Sequence, residues 1–179
     1  INTGSQNVAV GKASLSSATT ASDNVGLGHG TLSALTTSAR NVAIGTQALN
    51  GAMNTNSNTY NVAVGYQAAL TGQGDYGVSL GYQAGQSNQG TYGIAIGALA
   101  GHTKQHDNTI VLNATGISLN TVTTDGFYVD PVRENISTNN EVVFYNTDTK
   151  EVVYDTTKQS VPTASCDGDY LVWNNTTGD

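Results

Sequence analysis

One pentapeptide recurs seven times in the first two thirds of the chain, and a repeat this tight constrains the fold more than any single residue does. The copies are Asn7-Val-Ala-Val-Gly11, Asn24-Val-Gly-Leu-Gly28, Asn41-Val-Ala-Ile-Gly45, Asn61-Val-Ala-Val-Gly65, Gly77-Val-Ser-Leu-Gly81, Gly93-Ile-Ala-Ile-Gly97 and a degenerate Thr109-Ile-Val-Leu-Asn113. Their closing residues are spaced 17, 17, 20, 16, 16 and 16 apart, too short a period for a helical repeat and the right one for a turn of a β-solenoid. Within each copy two large apolar residues flank a small one (Ala9, Gly26, Ala43, Ala63, Ser79, Ala95), which is strand alternation. The expected fold is all-β, a parallel β-roll with 16–17-residue coils over residues 1–113. The closing glycines Gly11, Gly28, Gly45, Gly65, Gly81 and Gly97 suit corners that need positive φ or close backbone approach.

Stacking in register places the rungs about 4.8 Å apart. Four residues past each corner stand Leu15, Leu32 and Leu49, then Ala69, Gly85 and Gly101, a switch that accompanies the shortening of the coils and predicts two coil subtypes. Such coils enclose little apolar volume. A chain that is 37% hydrophobic and holds 21 Gly must offset a large conformational-entropy cost, so side-by-side association is the expected remedy. The Ala- and Ser-lined strand face is the expected contact, because it would let subunits approach closely.

After Asn113 the period disappears. Ile117-Ser-Leu119 and Phe127-Tyr-Val129 read as short strands, and Glu141–Tyr145 and Glu151–Tyr154 flank a polar connection, the pattern of a hairpin over 141–154. The expected organisation is a head at 1–113, a β-rich neck at 114–157, and at 158–179 a linker and the start of a further module. The opening Ile1-Asn-Thr-Gly4 is neither an initiator Met nor a signal peptide, so the chain is expected to be part of something longer.

Six Lys/Arg against thirteen Asp/Glu give a net charge of −7 without a basic stripe, which argues against nucleic acid as a partner. No apolar run approaches the roughly 20 residues of a membrane helix, so direct insertion of this segment is not expected. Charged residues make up only 11% of the chain, a composition closer to extracellular fibrous proteins than to cytosolic enzymes. The single Cys166 excludes an internal disulfide framework and is expected to be a free, partly buried thiol.

The coils resemble the head repeats of trimeric autotransporter adhesins of the YadA type, and equally the phage and viral tail-fibre proteins that carry the same repeat. Gly126-Phe-Tyr-Val-Asp-Pro-Val-Arg133 and Val143–Tyr154 resemble the neck that precedes a self-cleaving chaperone domain in many viral fibres. The resemblance implies a left-handed β-roll, a homotrimer, and attachment of a virion or cell to a host surface through glycans or glycoproteins. It places the chain outside the cell, on a virion fibre or a bacterial surface. A purely structural spacer without its own ligand is the alternative.

For ligand binding the candidates are the tyrosines one coil apart, Tyr60, Tyr76 and Tyr92, and the pair Tyr66 and Tyr82. Aromatic faces with hydroxyl tips match sugar rings, yet the same ladder would stabilise a solenoid by stacking alone. Asn54 and Asn56 lie in the longest coil, whose extra residues must leave the solenoid as a polar bulge. Repeated amides (Asn7, Asn24, Asn41; Gln67, Gln83; Gln73, Gln89, Gln105) are expected to hydrogen-bond along the stack. The sequons place glycosylation candidates at Asn113, Asn135, Asn174 and Asn175. His102, His106 and Asp107 have the chemistry of metal ligands, but their spacing means little off a helix, and no metal or other cofactor is expected. Asp75 and Asp107, two coils or about 10 Å apart, are not joined by any further catalytic pattern, so the chain is not expected to be an enzyme.

Overall fold

The computed structural model describes residues 3–51, 59–132, 142–146 and 149–155. Two compact units divide the chain at Val132. The first is a β-solenoid without helix among the described residues. Its strands β1 (Val8–Val10), β2 (Val25–Leu27), β3 (Val42–Ile44), β4 (Val62–Val64), β5 (Val78–Leu80), β6 (Ile94–Ile96), β7 (Ile110–Asn113) and β8 (Phe127–Asp130) form one parallel sheet in chain order. Every pair is in register, Val42 opposite Val62 and Ile94 opposite Ile110, as the repeat requires. At the usual strand spacing the sheet is about 34 Å along its stacking direction.

The ladder does not stop at Asn113. Phe127–Asp130 pairs with β7 as an eighth rung, and Ile110 and Ala114 donate their N–H groups to Gly126 and Asp130. Ile117-Ser-Leu119 forms no strand; only an isolated bridge joins Leu119 to Ala100. In the second unit, β9 (Val142–Tyr145) pairs antiparallel with β10 (Val152–Asp155), with Tyr145 opposite Val152, which is the hairpin expected over 141–154.

The corner glycines meet both expectations placed on them. Gly28, Gly45, Gly65 and Gly81 have φ between 119° and 136°, and a Cβ on Gly45 would lie 2.6 Å from the Gly65 carbonyl oxygen. Seven backbones, from Gly11 to Asn113, thus pass at contact distance in one column. Other corners are taken by L-residues in the left-handed region, where they cost roughly 1–2 kcal/mol each. Two residues before each strand stand Gln6, Asp23, Arg40, Tyr60, Tyr76, Tyr92, Asn108 and Asp125, with φ between 55° and 63°. From Asp23 onward their N–H groups donate to the preceding coil, Tyr76 to Thr59 and Tyr92 to Asp75, which holds the strained corners in place.

The strand faces are the reverse of the expectation. Ala43, Ala63, Ser79, Ala95 and Val111 are fully buried inside the solenoid, and the larger residues of each strand point outward. The reason is volume. The inner residue must share a narrow interior with the opposite corner, where Leu32 and Leu49 are buried. A Cβ on Gly26 would already lie 2.5 Å from Ser14 Oγ and 3.0 Å from Thr31 Oγ1. At the first six rungs only small residues stand there and the larger ones face out; the seventh rung takes Val111 at the inner position.

The two coil subtypes differ in what fills that interior. In the early coils the leucines are joined by an asparagine column: Asn24 and Asn41 each donate Nδ2 to the Oδ1 of the Asn one coil earlier, at 3.1 Å. Backbone N–H groups of Asn24, Asn41 and Asn61 each donate to the Oδ1 of the Asn one coil earlier, which fixes the orientation of each amide. In the later coils glycine replaces leucine and a glutamine amide takes the space. Gln73, Gln89 and Gln105 do not form the expected ladder. Gln89 and Gln105 span their turns from within, as where Gln89 Nε2 donates to the carbonyls of Val78 and Gly93, whereas Gln73 Nε2 donates to the carbonyls of Thr71 and, one coil on, Gly85. Gln47, Gln67 and Gln83 do form a column, with Nε2 to Oε1 distances of 2.9 and 2.8 Å.

One buried acceptor in this series lacks its donor. Ser79 Oγ donates to Gln89 Oε1 at 2.7 Å. One coil later the partner of Gln105 is Ala95, and Gln105 Oε1 is buried without a hydrogen bond among the described residues. Ala95→Ser should supply the missing donor in an environment where Ser79 shows that the hydroxyl fits. Stabilisation of about 1 kcal/mol is expected in chemical denaturation, and Ser79→Ala should destabilise by at least as much.

Candidate functional site

The tyrosines predicted from the repeat come together as two columns at opposite ends of the strands. Tyr60 and Tyr76 stack with centroids 5.0 Å apart and planes within 5°, and Tyr76 and Tyr92 repeat this at 5.0 Å and 11°. Tyr66 and Tyr82 stack at 5.6 Å and 10°. All five rings remain exposed, from 43% at Tyr60 to 56% at Tyr92. Between the columns lies the outward face of the sheet, two files of apolar side chains running from Val8 to Phe127 and from Val10 to Val129.

The longer column continues into a residue that the sequence did not single out. Arg40 occupies the same corner position one coil before Tyr60, with its guanidinium 5.3 Å from the ring centroid and Nη1 donating to Tyr60 Oη at 3.0 Å. Its Nε lies 3.9 Å from Asp23 Oδ2, an exposed pair worth little by itself. The signal was the shared offset before each strand, obscured by the 20-residue spacing between Gly45 and Gly65.

This geometry limits how the rings can meet a ligand. Tyr60 has Arg40 over it and Tyr76 stacked against it, and Tyr76 is sandwiched between two rings. Only the outer faces of Tyr92, Tyr66 and Tyr82 are covered neither by another tyrosine nor by Arg40; elsewhere the columns offer ring edges and hydroxyls. An open groove of about 390 Å³ crosses the coils that lead into Tyr76, Tyr92 and Asn108, lined by Gly72, Asn88, Thr91, Lys104, His106 and Asp107 among others.

The remaining candidates are occupied locally. Asp75 and Asp107 each accept a backbone N–H from the preceding coil, from Thr59 at 2.9 Å and Thr91 at 2.8 Å. His106 Nδ1 is 2.7 Å from Thr121 Oγ1. Among the described residues no three His, Cys, Asp or Glu side chains group as metal ligands. Asn113 is buried, and its Nδ2 donates to the carbonyls of Ala98 and Ile117, so the folded coil does not present this sequon. The Tyr128 phenol is held below its usual pKa by hydrogen bonds from the Thr123 hydroxyl and from the N–H groups of Val122 and Thr123. Asn54, Asn56, Asn135, Asn174, Asn175 and Cys166 lie outside the described residues.

The site is an apolar strip bordered by stacked phenols, with a cation at one end of the longer stack and an open groove beside its later coils. No helix among the described residues is long and apolar enough to cross a membrane. No family model, curated protein or solved structure matches the chain.

Proposed function

We propose that this chain is part of a homotrimeric surface fibre that attaches a virion or a cell to a host surface. The observation that carries the reading is the outward strip: eight in-register rungs present apolar side chains at every outward strand position, without one charge among them. Continuous apolar patches of this kind mark association surfaces. The occupant is a second and a third copy of the chain, because an identical strip about 34 Å long on each copy matches it in length and chemistry. The number three comes from the resemblance to YadA-type heads and tail fibres.

In an assembled fibre the strips would close against one another around the shared axis, leaving the outer corners to the host. Recognition would fall to glycans or glycoproteins, held by the free faces of Tyr92 and Tyr82 and the hydroxyls along the columns. Threefold repetition raises a weak contact to useful avidity. Binding of the assembled protein to a glycan array should be lost in Tyr76→Ala with Tyr92→Ala while the assembly persists. An unchanged array would overturn the glycan assignment.

One observation favours the spacer reading. The tyrosines turn most of their faces toward each other, and the Asn and Gln columns spend their amides inside the stack. A chain that bound no array glycan and yet sedimented as a trimer would be a spacer.

A further inference from the structure

We propose that the tyrosine columns are a site of oxidative cross-linking, at which phenols on successive coils couple into dityrosine and brace the solenoid covalently. The reading stands on the columns alone and does not depend on the attachment function or on the trimer.

The geometry supplies what phenol coupling needs. Tyr76 and Tyr92 are held face to face at 5.0 Å, and both are about half exposed, so a diffusing oxidant reaches either ring. Their backbones are one rung apart, which fixes partner and orientation before any electron is removed. The position also tolerates other residues. Asp23, Arg40 and Asn108 take the same left-handed corner in other coils, so the backbone there does not demand tyrosine.

The co-reactant is a one-electron oxidant of the haem-peroxidase class with hydrogen peroxide. Each phenol gives up one electron and its hydroxyl proton, leaving radicals with spin density on the ortho carbons. The two ortho carbons join, and the hydrogen on each moves to its own oxygen to restore the aromatic rings. Two tyrosines thus lose two hydrogen atoms in all, and one peroxide accepts them and leaves as two waters. Exposure leaves the rings free to tip from the stack toward the bonded geometry.

Arg40 makes the sites unequal. Its guanidinium lies over Tyr60 and donates to Tyr60 Oη, and a cation at that distance opposes removal of an electron from the ring. Coupling should therefore favour Tyr76 with Tyr92 over Tyr60 with Tyr76. A bond in the column leaves its third tyrosine without a neighbouring partner.

The test treats the whole chain with horseradish peroxidase and limiting peroxide, then reads biphenol fluorescence and intact mass on chains separated under denaturing conditions. Wild type should give on the order of tenfold more intrachain dityrosine than Tyr76→Phe with Tyr82→Phe, because held partners react far faster than partners meeting by diffusion. Phenylalanine keeps the stacks but forms no phenoxyl, and circular dichroism checks that the variant is folded. Guanidine-unfolded wild type should also lose the excess, which keeps the test valid if the variant misfolds. In the Tyr82→Phe background, a protease cutting ahead of Asp75 and Asp107 separates the two linkages. A Tyr76–Tyr92 bond stays within one peptide lighter by two hydrogens, whereas a Tyr60–Tyr76 bond joins two peptides. The proposal is overturned if the double variant or the unfolded chain couples as well as folded wild type, or if dityrosine appears only in covalent multimers. A predominance of the joined peptides would overturn the role given to Arg40.

Discussion

Replacing Gly45 by alanine is expected to collapse the cooperative unfolding of the solenoid, with a loss of about 3 kcal/mol or more. Two costs coincide at this corner. The backbone sits at φ 119°, where L-residues are rarely found, and the added Cβ would meet the Gly65 carbonyl oxygen at 2.6 Å. Relief would require the third and fourth rungs to separate, and the column of close backbones cannot widen at one rung without disturbing its neighbours. The measurement is the midpoint of denaturant unfolding followed by far-ultraviolet circular dichroism. Gly30→Ala is the control. Gly30 also has positive φ, 66°, but its Cβ would meet only side-chain atoms of Gln47 and Asn50 at 3.7 Å and beyond. Its loss should be limited to the backbone cost of roughly 1–2 kcal/mol. Equal losses at both positions would refute the close-approach argument.

Lysine at both Ile44 and Ile96 is expected to convert the proposed trimer to monomers while the coil ladder persists. Both side chains point outward from the strip, 38% and 40% exposed in the single chain, so neither takes part in interior packing. Each replacement removes about 2 kcal/mol of apolar burial at the subunit contact, before the cost of enclosing an ammonium group is added. Symmetry repeats the loss in every subunit. Sedimentation equilibrium should show trimers for the wild type and single chains for the variant, with matching circular dichroism. A wild-type chain that sediments as a monomer would refute the interface, and so would a double variant that remains trimeric.

Strand positions and register were legible in the sequence because both follow from period. Val8, Val25, Val42, Val62, Val78, Ile94 and Ile110 fall on one file whatever the coil encloses. The glycine corners were legible for the same reason. Which strand face turns inward was not, since alternation defines two faces without ranking them. The ranking came from the space between Ala43 or Ala63 and the leucines across the coil, a quantity set by the closed turn rather than by the strand. The eighth rung was hidden because Phe127–Asp130 lacks the Asn and Gly of the pentapeptide. Its turn was visible all the same, as Asp125-Gly126 stands 17 residues after Asn108-Thr109. At the candidate site the stacking of the tyrosines followed from their spacing, but the loss of ring faces to that stacking needed coordinates. So did the cation over Tyr60, which shares no residue type with the column it extends.

The amide columns give the solenoid a polarity. Every side-chain link of the Asn column, and likewise of the Gln47–Gln67–Gln83 column, runs from a donor on the later coil to an acceptor on the earlier one. Peptide-like dipoles lined up head to tail add rather than cancel, as they do along a helix. Both columns end inside the eight-rung sheet, at Asn61 and at Gln83, so this directional order belongs to the early and middle coils, where each coil offers its amide hydrogens to the oxygens of the coil before it.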